Sequence, residues 1–327
     1  MELPPLTRHY FSPIPARERA CRWLCFLTMV GLVAILYLYW SPLRSTEFAY
    51  SMVAITVENI LVLVFFQVIT VLGSEGFFLV LLSFIYWSLH KPLGFWGLMV
   101  MPLSIFVTSE IPKDIIKLPR PEVRGVTVPT YTFPSGHTSG AVSVWGFLAV
   151  IMKIRWFWVW AIFIMVMVGL SRIMLGYHFP GDVLGGIVTG TAFLALFFGL
   201  IVKVQEQTWK WKPPWGISLL LVGGVPLALS FVPASYAPNL MGYMAGAGMG
   251  YLLERKYINF SVAGRRSQHL ARTLLGLSVI ALIIPGLDLL LNFNFHLLVF
   301  LQHAFSTFWT TFLAPWTFVK LKLASTQ

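Results

Sequence analysis

The chain reads as an all-α polytopic membrane protein: a six-helix core followed by about four further transmembrane helices. Three observations predict this. Hydrophobic residues make up 57% of the 327 and charged residues only 11%, less than half the roughly 25% charged content of a soluble domain. Apolar runs of about 17 to 22 residues recur, long enough to cross the hydrocarbon as helices. The net charge of +11 sits in short segments between those runs, where membrane topology accounts for it and a nucleic-acid partner is not needed.

The elements follow in order. Residues 1–20 form a basic cytoplasmic segment carrying Arg8, Arg17 and Arg19. A first span near 21–40 has no small-residue cleavage site close behind it and is expected to be an uncleaved anchor. Cys21 and Cys25 lie one turn apart in this run and read as small apolar helix residues, not as a disulfide framework. Spans near 76–90, 95–112, 137–152, 156–174 and 183–202 complete a core over 21–205. Residues 210–327 hold four more, near 215–232, 238–253, 271–290 and 297–315. That region carries no chemical constellation, and Gly242, Gly246, Gly248 and Gly250 predict close helix contact.

Residues 46–73 are a special case. Ile60 to Leu72 is apolar, but Glu47, Glu58 and Asn59 precede it. A span here would invert the parity of everything before it and put four arginines outside. An amphipathic or re-entrant helix on the outer surface avoids this, with Gly73 and Gly76 ending or bending it. The outer side then holds Arg44, Lys113, Lys117, Arg120, Arg124 and Arg172, while the other cations lie on the cytoplasmic side. That is a positive-inside pattern once the motif cations are set aside.

Eleven residues in three blocks carry the chemistry: Lys113, Arg120 and Pro121; Pro134-Ser135-Gly136-His137; and Ser171-Arg172 with His178 and Asp182. The spans 137–152 and 156–174 form a hairpin, so the loops before and after it face one side. Lys113, Arg120 and Arg172 are three cations for one pocket, and guanidinium forks match phosphoryl oxygens. Ser135 and Gly136 open a helix whose backbone N–H groups suit an anion. His178 and Asp182 are four apart, so on a helical turn they share a face. A carboxylate on one ring nitrogen fixes the tautomer and raises the basicity of the other, as a nucleophilic imidazole requires. Zinc is not indicated: there is no His-Glu-x-x-His, no cysteine cluster, and one carboxylate in the constellation. Ser135 is not in a Gly-x-Ser-x-Gly elbow, which argues against a serine hydrolase.

Together, Lys113-x6-Arg120-Pro121, Pro134-Ser135-Gly136-His137 and Ser171-Arg172-x5-His178-x3-Asp182 resemble the three-part signature of the type 2 phosphatidic acid phosphatase superfamily. The resemblance covers roughly residues 20–205 and leaves the last 120 unexplained. It implies a metal-independent phosphatase acting on a membrane lipid phosphate or diphosphate through a phosphohistidine, with no cofactor. His178 is then the nucleophile, Asp182 its orienting group and His137 the acid. Lys113, Arg120, Ser135, Gly136 and Arg172 hold the phosphoryl oxygens. Lys117 and Arg124 add charge that suits a diphosphate such as a polyprenyl diphosphate, or anionic headgroups in general. Two alternatives stay open: a lipid phosphotransferase with the same intermediate, and a transporter or scaffold with an accessory phosphatase core. Asp288 and His303, in C-terminal apolar runs, motivate the latter. The absence of long glycosylated loops points to a bacterial inner membrane with the site facing the periplasm.

Overall fold

A computed structural model describes residues 59–121, 130–206, 214–291 and 295–326. The expected first span, the N-terminal segment, Cys21, Cys25, Arg124 and the part of 46–73 before Asn59 lie outside the described residues. The side chain of Asp288 lies outside them as well.

Among the described residues the protein is helical, with no strand and one isolated bridge between Phe260 and Thr326. Helix Ile60–Val71 is capped by Asn59, whose side chain accepts from the Leu61 N–H. A turn at Leu72–Ser74 separates it from Glu75–Leu89, so Gly73 lies in the break and Gly76 inside the second helix. There follow Lys91–Ile116, Gly136–Met152, Arg155–Met174 and Pro180–Glu206. Trp215–Ser230, Ala237–Tyr257, Arg266–Leu291 and His296–Lys320 complete the order. Each expected span within the described residues coincides with one of these. Lys91–Ile116, Arg155–Met174, Pro180–Leu200 and His296–Lys320 are long and apolar enough to cross a membrane, while Gly136–Met152 and Trp215–Ser230 are apolar but shorter. The protein is integral to a membrane.

The contacts sort these helices into two compact units. One comprises 59–77 with 107–206, the other 78–106 with 214–326. Residues 78–106, which on sequence fall within the core, thus make their contacts with the C-terminal helices. Trp87 Nε1 donates to Thr310 O at 2.7 Å, and Ser83 Oγ lies 3.1 Å from Thr310 Oγ1. The Phe95 and Tyr251 rings stack at 3.9 Å. Lys91 Nζ reaches the buried Glu254 carboxylate at 2.6 Å.

Helix Ala237–Tyr257 packs on His296–Lys320 through its glycines. A Cβ at Gly246 would overlap the Ala304 carbonyl oxygen and Thr307 Oγ1. In lipid, helix association rests on such close packing. Gly246→Ala should therefore force the pair apart and cost about 1–3 kcal/mol, read as a lower unfolding midpoint in detergent. Gly224→Ala is the control, since its Cβ would meet only Leu220 Cδ1 at 3.7 Å.

In the other unit, helix Pro180–Glu206 lies against Gly136–Met152. Cβ atoms at Gly186 and Gly190 would come within 2.7 and 2.8 Å of Ser135 O and Ser139 O. Small residues there draw the first turns of both helices together, and those turns carry the motifs.

Candidate active site

The site is built at helix ends. A π-helical turn, Phe106–Glu110, precedes the last stretch Ile111–Ile116, where Lys113 is buried at 8% exposure. Lys117, in the left-handed region, ends this helix. Ser135, extended at φ −70° and ψ 115°, precedes the helix opened by Gly136. A Cβ at Gly136 would lie 2.9 Å from Ser109 Oγ and 3.6 Å from Lys113 Nζ, so the lysine lies against the start of that helix.

The third block owes its shape to Gly176. Its φ of 75° suits glycine and turns the chain back after Met174. The N–H groups of Tyr177 and His178 then both donate to Arg172 O, at 3.0 and 3.2 Å. His178 therefore stands before helix Pro180–Glu206 and not on it, while Asp182 is in its first turn. The two side chains still meet across this junction, His178 from the loop and Asp182 from the helix.

His178 is 2% exposed and Asp182 0%. Their closest approach, Nδ1 to Oδ2, is 3.5 Å. Thr132, fully buried, lies between them: its Oγ1 is 3.1 Å from His178 Nδ1 and donates to Asp182 Oδ2. Asp182 Oδ2 also accepts from the Phe179 N–H at 2.9 Å. On the other side of the ring, Arg120 Nη1 is 3.5 Å from His178 Nε2 and donates to Tyr177 O at 3.1 Å, while its Nε donates to Thr130 O at 3.0 Å. Burial, and then the nearby charges of Arg120, Arg172 and Lys113, hold the His178 imidazole well below its ordinary range, so it is neutral near pH 7.

Arg172, 7% exposed, donates from Nη1 to Thr70 Oγ1 at 2.9 Å and stacks over the Tyr177 ring at 4.5 Å. Its Nε is buried and, among the described residues, has no hydrogen-bond partner. A donor left over in this place fits a phosphoryl oxygen. His137, half-buried, lies within electrostatic reach of His178, Arg172, Lys113 and Arg120. Ser135 is buried, with its hydroxyl accepting from Thr138 Oγ1 at 3.0 Å and its N–H donating to Asp182 O at 3.0 Å.

Two things were not foreseen. The constellation holds a second carboxylate: Glu110, buried, pairs with Lys113 Nζ at 2.7 Å, so this cation is partly neutralised. The i,i+3 spacing of Glu110 and Lys113 on a helix could have been read. The hydroxyls of Thr132, Thr70 and Ser109 also line the site.

Comparison with known proteins bears on this arrangement. Residues 93–206 match the family model described as PAP2 superfamily, and 238–326 match one described as PAP2 superfamily phosphatase, transmembrane extension. Phosphatidylglycerophosphatase B of Bacillus subtilis is 30% identical over 152 residues, which cover 42% of this chain and 74% of that protein. The chain belongs to the PAP2 superfamily. All eleven motif residues fall within the PAP2 match at 93–206, and the second PAP2 match reaches the C-terminal region that the sequence resemblance left unexplained. Human sphingosine-1-phosphate phosphatase 2 is 27% identical over 154 residues, 43% of this chain and 38% of that protein. Undecaprenyl-diphosphatase BcrC of B. subtilis is 40% identical over 86 residues, 23% of this chain and 43% of that protein. The match spans less than half the length of the sphingosine-1-phosphate phosphatases. The crystal structure of a transmembrane PAP2 type phosphatidylglycerolphosphate phosphatase from B. subtilis aligns over 59% of this chain and 98% of that one, at 25% identity and a TM-score of 0.46.

Proposed function

We propose that this protein is a lipid phosphate phosphatase, working through a phosphohistidine without a metal ion. One observation carries the reading: a buried imidazole with a carboxylate and hydroxyl behind Nδ1 and a guanidinium beside Nε2. His178 Nε2 attacks phosphorus, the N–P bond forms, and the ester P–O bond breaks. His137, protonated once the negative charge of the bound phosphate offsets the surrounding cations, gives its proton to the leaving oxygen. Water then attacks the phosphoimidazole, His137 takes a proton from it, the N–P bond breaks and inorganic phosphate leaves. Arg120, Arg172 and Lys113 neutralise charge on the phosphoryl oxygens, where preorganised donors contribute most. Ser135 and Gly136 offer the start of a helix to the same oxygens.

The substrate class is supported by the membrane setting and by the relatives, whose names specify sphingosine-1-phosphate, phosphatidylglycerophosphate and undecaprenyl diphosphate. The motifs sit at the helix ends opposite the basic turn Lys153–Arg155. We read that side as the outer face, the periplasm of a bacterial inner membrane. The test is a panel of these lipid phosphates, assayed in detergent with excess chelator. Release of inorganic phosphate from at least one is expected. Loss of activity with chelator would overturn the metal-free mechanism, and phosphate found only on an acceptor lipid would make the protein a transferase.

A further inference from the structure

We infer that Thr132 is a positioning residue, through whose hydroxyl Asp182 acts on His178. This rests on the phosphatase reading above and adds a residue to it. The direct approach of His178 Nδ1 to Asp182 Oδ2, 3.5 Å, is beyond the usual 2.7–3.2 Å or so of an N–H···O hydrogen bond. Thr132 Oγ1 reaches both partners, lying 3.1 Å from Nδ1 and donating to Oδ2.

The proton count then fixes the direction. A threonine hydroxyl has one proton and two lone pairs, and an ionised carboxylate only accepts. The Thr132 proton must therefore go to Asp182, so Oγ1 must accept from His178 Nδ1. Nδ1 carries the proton, and the Nε2 lone pair faces Arg120 and the phosphoryl site. The same chain serves the chemical step. When the Nε2–P bond forms and the leaving oxygen takes its proton from His137, positive charge appears on the imidazole. The Nδ1–H bond to Thr132 strengthens, and the Thr132 bond to Asp182 strengthens with it. No proton needs to move along the chain, and hydrolysis of the N–P bond restores the starting state.

The hydroxyl is held in place from both sides. The Thr132 N–H donates to Leu118 O at 2.9 Å. The next residue, Phe133, lays its ring on the backbone at Gly185, where a Cβ would overlap the ring. Neighbouring Ser135 is tied to Asp182 O. Thr132 thus spans the loop before the second motif and the helix that carries Asp182.

The experiment compares Thr132→Val, which keeps the shape and removes the hydroxyl, with Thr132→Ser, which keeps the hydroxyl. Steady-state phosphate release and the single-turnover rate of phosphohistidine formation are measured on whole, detergent-purified protein. Thr132→Val should lower kcat and the phosphorylation rate about 10- to 100-fold with KM within about twofold, as for a lost transition-state contact. Thr132→Ser should stay within about threefold of wild type. Wild-type kcat in Thr132→Val, a change in KM alone, or a serine variant as slow as the valine variant would each overturn the relay. If Thr132→Val does not fold, the double-mutant comparison of Thr132→Ala with Asp182→Asn decides. Effects that fail to add support a shared path, and independent effects overturn it. Failure of the phosphatase reading looks different: His178→Ala would then release phosphate as wild type does, or wild type would release none.

Discussion

His178→Ala should reduce phosphate release by at least about 10³-fold while leaving the fold intact, because it removes the nucleophile and leaves only binding and charge neutralisation. Acid-labile phosphate on the protein, formed by wild type in a single turnover, should be absent from the variant. Residual release within about tenfold of wild type would rule out a phosphohistidine at this position. The pH dependence gives an independent check with a definite sign. Burial and the charges of Arg120, Arg172 and Lys113 push the folded-state pKa of His178 below its ordinary value, whereas in the unfolded chain it is about 6.5. As pH falls below that value the unfolded chain takes up the proton first, so stability is lost in going from pH about 6.5 toward the folded pKa. The same group contributes no pH dependence above it. His178→Ala should therefore unfold less steeply with acid than wild type over this window. In wild type the imidazole stays deprotonated below pH 6.5, so the acid limb of kcat/KM due to this group should lie under that pH. Bound phosphate, being anionic, should raise the pKa again.

Which parts of this site were legible in the sequence depends on how far apart the interacting residues lie. The spans could be read because each apolar run closes its hydrogen bonds within itself. Lys113, Arg120, His137, Arg172, His178 and Asp182 could be read because the blocks are short and the hairpin between them returns the chain to one side. Thr132 could not be assigned a role, since its bond to Asp182 forms only when Thr132, tied to Leu118 O, meets the first turn of helix Pro180–Glu206. Thr70 is a similar case. Nothing in an apolar helix marks one threonine as the acceptor for a guanidinium 102 positions away. The grouping of residues 78–106 with the C-terminal helices was equally hidden. It depends on single polar atoms in apolar helices, such as Trp87 Nε1 finding Thr310 O, and hydropathy averages such atoms away.

Arg272→Ala should destabilise the protein by about 3 kcal/mol or more and should do so without touching the chemistry. Arg272 is 0% exposed, yet its described partners are backbone carbonyls and not a carboxylate. Nε and Nη2 donate to Leu323 O at 2.8 and 2.6 Å, Nη1 donates to Val262 O at 2.7 Å and reaches Trp87 O at 3.4 Å, and Nη2 donates to Ala263 O at 2.9 Å. One side chain thus joins the C-terminal tail, the turn before helix Arg266–Leu291, and the π-helical turn Ile85–Leu89. Truncation leaves several carbonyls unpaired at once, each costing about 1–3 kcal/mol where water does not reach, and opens a cavity of guanidinium size. Lysine cannot repair this, because a single ammonium does not reproduce the planar fork, so Arg272→Lys should recover only part of the loss. Unfolding midpoints in detergent measure both. A midpoint within about 2 °C of wild type for Arg272→Ala would show that water or a neighbouring side chain replaces the guanidinium. A stable variant with reduced phosphate release would instead give the C-terminal unit a direct part in the reaction.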